Sequence, residues 1–475
     1  MTQPVLWTVL IGLLEIVGIL SAAHAVMSVR TPQGTIAWAV VLVAAPFVAV
    51  PAYWVFGRNK FKGYVRARRQ KLERLEDAIR RANEQLAACS TLGEASPGVV
   101  AAAEKLARVP FTGGNRVDLL VDGEATFSSI LDGIRAARSY VLVQFYIVRD
   151  DELGHRLASE LAGKARSGVP VHFLYDEIGS FALSGSYLAG LRAAGVEVTP
   201  FHSRKGIGNR FQLNFRNHRK TVVVDGQVAW VGGHNVGVEY LGQDPDIGHW
   251  HDVHVRLEGP AVIGAQLAFL EDWRWATDSE LSGLSWKPRI EDARAEVLVI
   301  ASGPADPMET ALLMFMHAIN SATERIWIAS PYFVPDDAIV QALQLASLRG
   351  VDVRILIPEK ADSRWVTLAA YSYFNDVKAA GAAFYRYQAG FLHGKFMLID
   401  DNVATVGTAN FDNRSFRLNF EITALVLDEL FADDVRRMFE RDFQSSRLMV
   451  LGELEAKPLW FRLAVRVARL LAPVL

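Results

Sequence analysis

The sequence predicts an α/β protein in which two related lobes pack about a pseudo-two-fold axis. Each lobe is expected to be a mixed sheet flanked by helices, and an N-terminal hairpin of two transmembrane helices precedes them. Three observations predict this fold. Residues 34–57 contain no charged side chain, and the chain beyond residue 98 alternates helical and strand-like segments. A block that ends in a histidine–lysine motif also occurs twice, about 180 residues apart, which indicates duplicated domains.

Composition excludes several classes of protein. The chain has 475 residues, of which 51% are hydrophobic and 21% are charged. This balance excludes a disordered protein, because disordered chains are poor in apolar residues and rich in net charge. A formal net charge of −2 argues against a general nucleic-acid binder, which usually has a basic excess. The single cysteine, Cys89, excludes an intramolecular disulfide and any metal site built from several cysteines.

The N-terminal residues predict two membrane spans. Residues 34–57 are long enough to cross a hydrocarbon core of roughly 30 Å, and residues 5–29 are nearly as apolar, interrupted by Glu15 and His24. A secretory signal peptide is the competing interpretation, because residues 21–23 resemble a cleavage site. The absence of a preceding basic region and the second span that follows at once favour a transmembrane hairpin.

Flanking charges predict the orientation of this hairpin. The segment 58–71 is basic and has no acidic residue, whereas the connecting loop carries only Arg30. The basic residues are Arg58, Lys60, Lys62, Arg66, Arg68, Arg69 and Lys71. The positive-inside rule then places the large C-terminal part in the cytoplasm, with a short external loop between two membrane crossings. The basic segment is either a solvated helix face or a contact for anionic lipid headgroups, and its position beside a span favours lipid.

A repeat defines the domain organisation. Residues 134–146 match residues 319–332 in pattern, and each block is followed by a pair of aspartates that can cap the next helix. The expected parts are a transmembrane hairpin (1–57), a basic juxtamembrane helix and linker (58–110), a first lobe (111–285), a second lobe (286–450) and a C-terminal amphipathic helix (451–475).

The C-terminal helix is basic on one face. Arg462, Arg466 and Arg469 recur at helical spacing among apolar and aromatic residues. Such a helix can lie in a membrane interface or pack on the preceding domain, and the adjacent Trp460 and Phe461 favour the interface.

Both lobes carry the same motif. It reads HxKxxxxD, followed after six residues by G[GT]xN. The first copy comprises His218, Lys220, Asp225, Gly232 and Asn235, and the second comprises His393, Lys395, Asp400, Gly407 and Asn410. One copy alone would be weak evidence of function. Two copies at equivalent places are strong evidence.

The spacing within the motif indicates phosphodiester chemistry. Histidine and lysine two residues apart on a strand point to the same face. Two lobes brought together would combine two imidazoles, two ammonium groups and two amides. The cations can hold phosphoryl oxygens while one histidine attacks and the other protonates the leaving alkoxide. The pair Asp225–Gly226 is also a tight-turn signal, which favours a hairpin role for that aspartate.

This doubled motif resembles the phospholipase D superfamily from about residue 111 onward. The segments 54–58, 214–220, 232–240, 250–252 and 410–421 resemble bacterial cardiolipin synthases more narrowly. The resemblance implies two phospholipase D-like lobes that transfer a phosphatidyl group, without metal or other cofactor, between two phosphatidylglycerol molecules. The products would be cardiolipin and glycerol, formed through a phosphatidyl-histidine intermediate.

The residues expected to act divide into two sets. The catalytic set is His218, Lys220, Asp225, His393, Lys395 and Asp400, and the substrate-binding or orienting set is Asn235, Asn410, Asp252 and Glu421. A histidine that attacks or donates needs its other nitrogen anchored, usually by a carboxylate. Glu421 lies 28 residues after His393, and the resemblance to small nucleases of the superfamily implies that it anchors His393. Asp252 is its expected counterpart for His218.

A metal site is the alternative for the segment around Asp252. His249, His251, Asp252 and His254 lie close together in sequence. However, His251 and His254 have opposite strand parity, so they face opposite sides of the sheet. This favours Asp252 as a carboxylate partner.

His218 is the expected nucleophile and His393 the expected general acid. Arg216 and Lys220 share a strand face with His218, and two like charges would keep its imidazole neutral. Phe391 replaces the arginine in the second copy, and Glu421 would stabilise the His393 imidazolium. An approach of Arg414 or Arg417 to His393 would offset this difference. The resemblance supports the same assignment, because in the family the histidine of the first motif acts as the nucleophile.

The expected partners are phosphatidylglycerol, other anionic phospholipids and the bilayer. A phospholipase D-type hydrolase or another phosphatidyl transferase would use the same residues. A membrane anchor and a near-neutral net charge do not suit a nuclease, because its DNA substrate is strongly anionic. A non-catalytic membrane scaffold would need a broken motif, and all six motif positions are intact.

Overall fold

The computed structural model describes seven stretches of the chain, 3–29, 32–57, 72–90, 97–201, 214–245, 247–287 and 289–474. It divides into two compact units. The first comprises Met1–Gln70, Ser203–Phe215 and Val474, and the second comprises Lys71–His202, Arg216–Pro473 and Leu475. The basic segment 58–71, expected to contact anionic lipid, lies outside the described residues.

The first unit contains three apolar helices, α1 (Gln3–Ser28), α2 (Pro32–Ala44) and α3 (Pro46–Phe56). Among the described residues, only Val5–Ser28 forms a helix long and apolar enough to cross a membrane. The expected span 34–57 is not one helix, so the two-helix hairpin is only partly confirmed. The second stretch is interrupted because Pro46 has no N–H to continue the α2 ladder and instead starts the first turn of α3.

Small and aromatic side chains hold these helices together. Ala25, Leu42 and Tyr53 are fully buried. The Tyr53 hydroxyl lies 2.7 Å from Nδ1 of His24, which gives this polar ring a partner within an apolar bundle. Most large side chains of α1 are exposed, as expected for a helix whose surroundings are hydrocarbon.

Twelve described helices belong to the second unit. They are α4 (Leu72–Leu86), α5 (Pro97–Ala107), α6 (Asp122–Ala136), α7 (Glu152–Arg166), α8 (Gly185–Ala193), α9 (Val262–Thr277), α10 (Thr310–Ser321), α11 (Asp337–Leu348), α12 (Arg364–Lys378), α13 (Asn413–Arg417), α14 (Glu429–Gln444) and α15 (Leu459–Arg469).

Its first lobe contains the strands β1 (Thr112–Val121), β2 (Val141–Phe145), β3 (Val171–Asp176), β4 (Glu197–Phe201), β5 (Arg216–Asn217), β6 (Thr221–Val224), β7 (Val228–Gly232), β8 (Trp250–His251) and β9 (Val253–Glu258). Its second lobe contains β10 (Ala295–Ser302), β11 (Arg325–Ala329), β12 (Phe333–Val334), β13 (Asp352–Pro358), β14 (Ala383–Tyr387), β15 (Phe391–Leu392), β16 (Phe396–Ile399), β17 (Val403–Gly407), β18 (Phe411–Asp412), β19 (Asn419–Leu427) and β20 (Ser446–Leu448).

One mixed sheet runs through both lobes in the order β20-β14-β13-β11-β16-β17-β19-β10-β1-β9-β7-β6-β2-β3-β4. Each lobe has three parallel strands, β2-β3-β4 or β11-β13-β14, and antiparallel strands complete it. The lobes join where β1 pairs antiparallel with β10. This repeated order confirms the predicted pair of related lobes with mixed sheets.

The paired aspartates of the repeat cap helices as predicted. Asp151 accepts a hydrogen bond from the backbone N–H of Gly154 at the start of α7. Asp336 accepts one from Ala338 at the start of α11. Each carboxylate satisfies an N–H group that has no partner within its helix. The two helices therefore start at equivalent places in the lobes.

Two-residue strands cross between the lobes. β5 pairs with the start of β19, and β15 pairs with β8. The N–H of His218 then donates to the carbonyl of Phe420 at 3.0 Å, and that of His393 donates to the carbonyl of His251 at 2.7 Å. Each histidine motif is therefore anchored on the backbone of the other lobe.

Asp225 and Asp400, which the sequence predicts to be catalytic, lie in turns at the far ends of the motif strands. Asp225 accepts hydrogen bonds of 2.7–2.9 Å from the N–H groups of residues 138–140. Asp400 accepts equivalent bonds of 2.8–3.1 Å from residues 323–325. Asp225 thus joins the turn after β6 to the start of β2, and Asp400 joins the turn after β16 to the start of β11. This agrees with the hairpin role that the Asp225–Gly226 turn signal favours.

The C-terminal helix α15 packs with one face and exposes the other. Phe461 meets Tyr371 of α12 edge-on at 5.3 Å between ring centroids, and Val465 and Ala468 are fully buried. Trp460 is 69% exposed and Leu463 is 63% exposed. The helix thus packs on the domain and also retains an uncovered apolar face.

Asp225→Ala should lower the free energy of unfolding by about 2 kcal/mol, because three backbone N–H groups lose a charged acceptor. Asp225→Asn keeps one carbonyl oxygen and should lose less. Denaturant unfolding in detergent measures both changes. An unchanged free energy of unfolding in Asp225→Ala would contradict the structural role.

Candidate active site

Both histidine–lysine pairs lie where the lobes meet. His218, Lys220, His393 and Lys395 are each at most 9% exposed. The positive charge of Lys395 helps to lower the pKa of His218, and the positive charge of Lys220 helps to lower the pKa of His393. The fold therefore brings the two predicted motifs into one buried site.

Each histidine is held by a carboxylate from the other lobe, which corrects the expected pairing. Nδ1 of His218 lies 2.9 and 3.1 Å from the two carboxylate oxygens of Glu421. Nδ1 of His393 lies 2.7 Å from Oδ2 of Asp252. Sequence distance suggested the opposite pairing, but the crossing strands place each carboxylate beside the other lobe's motif. An ionised carboxylate only accepts, so each Nδ1 carries the proton and each Nε2 is left for chemistry.

The glycine-rich segments are adapted to these carboxylates. A Cβ atom at Gly233 would lie 2.0 Å from Oδ1 of Asp252, so any side chain would displace it. At the equivalent position of the second lobe, the Thr408 hydroxyl donates to Oε2 of Glu421 at 2.5 Å. Asn419 donates to the other oxygen at 3.0 Å. The second position of G[GT]xN therefore depends on the carboxylate of its own lobe: glycine leaves room for Asp252, and threonine donates a hydrogen bond to Glu421.

The expected substrate-binding asparagines have different roles. Asn235 accepts from the N–H of Ile147 at 3.0 Å and donates to the Tyr240 hydroxyl at 3.3 Å, so its side chain holds the loop after β2. Oδ1 of Asn410 is buried and has no hydrogen-bond partner among the described residues. Of these two amide oxygens, only that of Asn410 is without a partner in the part of the chain that the structure describes.

The two lysines differ in position. Nζ of Lys220 donates to the carbonyl of His218 at 2.7 Å and lies 5.4 Å from the centre of the Tyr146 ring. Nζ of Lys395 likewise donates to the carbonyl of His393, and it also lies 2.7 Å from Nδ1 of His393 and 3.8 Å from Asp252. The second lysine is therefore much closer to its imidazole.

Burial and neighbouring charge set the protonation states. Burial lowers the pKa of Lys220 to about 7 and that of Lys395 to about 8. Burial lowers the pKa of His218, and burial with the Lys395 ammonium lowers that of His393 to about 3. Against the effect of burial, nearby cations hold the pKa of Asp252 well below its usual range. Both imidazoles are thus neutral opposite charged carboxylates.

These charges correct the argument offered for distinguishing the two histidines. Glu421 contacts His218 rather than His393, and the cation nearest an imidazole is Lys395 rather than Arg216 or Lys220. Arg417 pairs with Glu309 and Asp336, away from His393. The assignment of the nucleophile must therefore rest on other features.

Arg219, between the motif histidine and lysine, is a positioning residue that the sequence analysis missed. Its guanidinium bonds the carboxylate of Asp272 at 2.9 Å and donates to the carbonyls of Glu421 and Ser302, both at 3.1 Å. It therefore fixes the strand that carries Glu421. Its strand parity, opposite to that of His218 and Lys220, indicated only that it faces away from them.

The remaining histidines of the predicted cluster are engaged by other side chains. His251 lies 2.8 Å from Asp122 and 3.1 Å from Asp442, and His249 lies 2.9 Å from Asp122. His254 lies 3.1 Å from His234. Within the described ranges, no group of three or more histidine, cysteine, aspartate or glutamate side chains could hold a metal ion.

A cleft of about 650 Å³ adjoins the second histidine. Trp250 and Phe391 line it, and their ring centroids lie 4.8 and 5.8 Å from that of His393. Both lobes contribute to the lining, and both signs of charge are present, from Arg149 and Lys360 to Glu239. The rings of Trp250 and Phe391 thus lie between His393 and a space of the size usual for small-molecule pockets.

The sequence has close relatives over its whole length. It is 47% identical over 476 residues to cardiolipin synthase A of Pseudomonas entomophila (strain L48), covering 100% of this chain and 99% of the relative. It is 48% identical over 472 residues to cardiolipin synthase A of Pseudomonas aeruginosa (strain LESB58), covering 98% and 95%. Among solved structures, phosphatidylserine synthase of Haemophilus influenzae Rd KW20 has a similar fold, with a TM-score of 0.62 and 14% identity over 79% of this chain and 100% of the other.

Family comparisons agree with the architecture. Residues 130–253 and 315–443 match the family described as "Cardiolipin synthase, PLD-like domain", and residues 16–58 match "Phospholipase_D-nuclease N-terminal". The two matched segments of the first family correspond to the two lobes that carry the motifs. The chain belongs to the cardiolipin synthase family of phospholipase D-like proteins.

Proposed function

We propose that this chain transfers a phosphatidyl group from one phosphatidylglycerol to another, giving cardiolipin and glycerol. The observation that carries the proposal is the buried double site, in which two neutral imidazoles have their Nδ1 atoms held by carboxylates beside two lysines. The named relatives, cardiolipin synthases over nearly their whole length, support the same substrate class.

The reaction divides into two balanced steps. Nε2 of His218 attacks the phosphorus of the donor lipid, a P–N bond forms, and the P–O bond to glycerol breaks as protonated His393 supplies its proton to the glycerol oxygen. In the second step the acceptor hydroxyl gives its proton to His393, its oxygen attacks the phosphorus, and the P–N bond breaks. Lys220 and Lys395 offset charge on the phosphoryl oxygens.

His218 is the proposed nucleophile because the cleft lies on the side of the other histidine, behind Trp250 and Phe391. An alcohol must enter and leave beside the proton carrier, and the cleft meets His393 through Trp250 and Phe391. Free His393 is neutral, so the phosphate anion must raise its pKa when substrate binds. Opposed charges inside a buried site interact strongly enough for this.

Lipid analysis tests the overall activity. Purified full-length protein in mixed micelles with phosphatidylglycerol should release cardiolipin and glycerol in equal amounts. Synthesis should persist in EDTA, because Lys220 and Lys395 supply the positive charge. Phosphatidic acid as the sole product would show a hydrolase instead, and a dependence on added phosphatidylethanolamine would show a different acceptor.

The pH profile tests the charge states. Lysines with pKa values of about 7 and 8 lose their charge as pH rises through this range, so kcat/KM should fall above about pH 8. Lys220→Arg, which keeps its charge, should lower activity yet move this decline to higher pH. Lys105→Arg, on the exposed face of α5, is the matched control. A profile that stays flat to pH 9.5 would contradict the assignment.

Rapid quench distinguishes the two histidines. With substrate labelled in the phosphatidyl group, His393→Ala should still accumulate label on the protein if glycerol departs slowly. His218→Ala should accumulate none, because no nucleophile remains. Label retained in His218→Ala and mapped to His393 would reverse the roles.

Family membership and helix α1 make this a membrane-associated protein. The finer proposal is a multi-pass anchor in a bacterial inner membrane, with the catalytic unit cytoplasmic. The basic segment 58–71 supports this orientation, and the apolar helices α2 and α3 would together complete a second crossing.

The uncovered face of α15 is proposed to lie in the membrane interface. Leu459, Trp460, Leu463, Val467 and Leu470 are exposed on it. Arg462 and Arg466 are exposed beside them and complement anionic headgroups. Because Phe461 and Val465 tie the opposite face to the second lobe, this contact would orient the catalytic unit on the bilayer.

A spin label tests this contact in full-length protein with Cys89→Ser. A label at Leu463→Cys should be more accessible to oxygen than to an aqueous nickel complex in vesicles rich in phosphatidylglycerol. A label at Leu345→Cys, an exposed position on α11, should be more accessible to the aqueous nickel complex than to oxygen. Aqueous accessibility at both positions would exclude the interfacial helix.

A further inference from the structure

The cleft beside His393 differs from the surroundings of His218, although the lobes are related. Position 391 is phenylalanine where the first lobe has Arg216, and position 239 is glutamate where the second lobe has Arg414. These arginines lie around Tyr146, whose ring packs 5.0 Å from that of His218. Two arginines and Asp176 thus surround Tyr146 on the His218 side, whereas Phe391 and Glu239 line the cleft on the His393 side.

This difference matches the two halves of the substrate. A phosphoryl group carries negative charge and suits the two arginines on the His218 side. A glycerol headgroup is a neutral polyol, and carboxylates accept hydrogen bonds from its hydroxyls while aromatic faces cover its CH groups. Glu239, which bonds Arg149 at 2.9 Å, and Asp362, which accepts from Tyr332 at 2.8 Å, both line the cleft.

The cleft also holds a buried donor. Trp250 is 7% exposed, and its indole N–H has no hydrogen-bond partner among the described residues. The same ring packs on His393. A buried N–H group without a partner is costly, and a headgroup oxygen that reached it through a shift of the ring would stabilise it.

We propose that this cleft binds the headgroup of the acceptor phosphatidylglycerol, with its terminal hydroxyl at His393 and its phosphate near Lys360. The inference rests on the proposed transfer reaction. The cleft volume of about 650 Å³ exceeds the needs of glycerol alone, and exposed Lys360 stands on its rim. In the transfer step the hydroxyl proton passes to His393 as the O–P bond forms and the P–N bond at His218 breaks.

Lys360 distinguishes an acceptor lipid from a simple alcohol. The donor phosphate sits between the histidines, so only the acceptor brings a second phosphate into the cleft. Free glycerol, used as an alternative acceptor, brings none. A defect at Lys360 should therefore affect cardiolipin formation more than the exchange of labelled glycerol into phosphatidylglycerol.

The experiment uses purified full-length protein in mixed micelles of phosphatidylglycerol with labelled free glycerol. Lys360→Met should lower the ratio of cardiolipin formation to glycerol exchange about tenfold, as expected for the loss of a charged contact. Lys105→Met, an exposed lysine outside the cleft, should leave this ratio unchanged. Gln388→Trp, which fills the mouth of the cleft from an exposed position, should lower both reactions relative to hydrolysis to phosphatidic acid.

The possible outcomes separate the inference from the proposed function. If Lys360→Met and Gln388→Trp both give the product ratios of Lys105→Met while the unmodified protein makes cardiolipin, the acceptor site lies elsewhere. If the unmodified protein makes no cardiolipin, the proposed function itself fails. If Lys360→Met lowers glycerol exchange as much as it lowers cardiolipin formation, the proposed contact between Lys360 and the acceptor phosphate is wrong.

Discussion

Each histidine of the site is oriented by a carboxylate that the other lobe supplies, Glu421 for His218 and Asp252 for His393. All four side chains are buried, together with Lys220 and Lys395. Removing one carboxylate would leave a buried ammonium without its compensating charge, which is strongly destabilising. One lobe alone would lack the partner that fixes its histidine tautomer. The duplicated fold is thus a requirement of the chemistry, since the site exists only where the lobes meet.

The crossing strands explain how this exchange is built. β5 and β15 pair with β19 and β8 of the other lobe, so His218 after β5 reaches Glu421 within β19, and His393 after β15 reaches Asp252 just after β8. The neighbours of the two histidines nevertheless differ between the lobes. His218 packs on Tyr146, which has Arg216 and Arg414 near it, whereas His393 packs on Trp250, which lines the cleft. Symmetry supplies two equivalent histidines, and the asymmetric neighbours give them different tasks.

Local patterns predicted much of this fold because their causes are local. The doubled motif identified His218 and His393, the Asp–Gly signal pointed to the turn at Asp225, and the paired aspartates marked two helix starts. Pairing of each histidine with its carboxylate could not be predicted, because it depends on which lobe a two-residue strand joins. Sequence distance favoured Glu421 for His393, and only the crossing of β5 shows otherwise. The break at Pro46 was visible in the sequence, but hydropathy alone passes over it.

Single-turnover labelling of Glu421→Gln and Asp252→Asn tests the exchange of carboxylates most directly. Full-length protein is mixed with substrate labelled in the phosphatidyl group, and the protein-bound label is followed with time. Glu421 contacts the proposed nucleophile, so Glu421→Gln should slow the appearance of label. Asp252 contacts the proton carrier, so Asp252→Asn should let label persist because the acceptor is poorly deprotonated. The opposite pattern, with slow labelling in Asp252→Asn and persistent label in Glu421→Gln, would contradict the account.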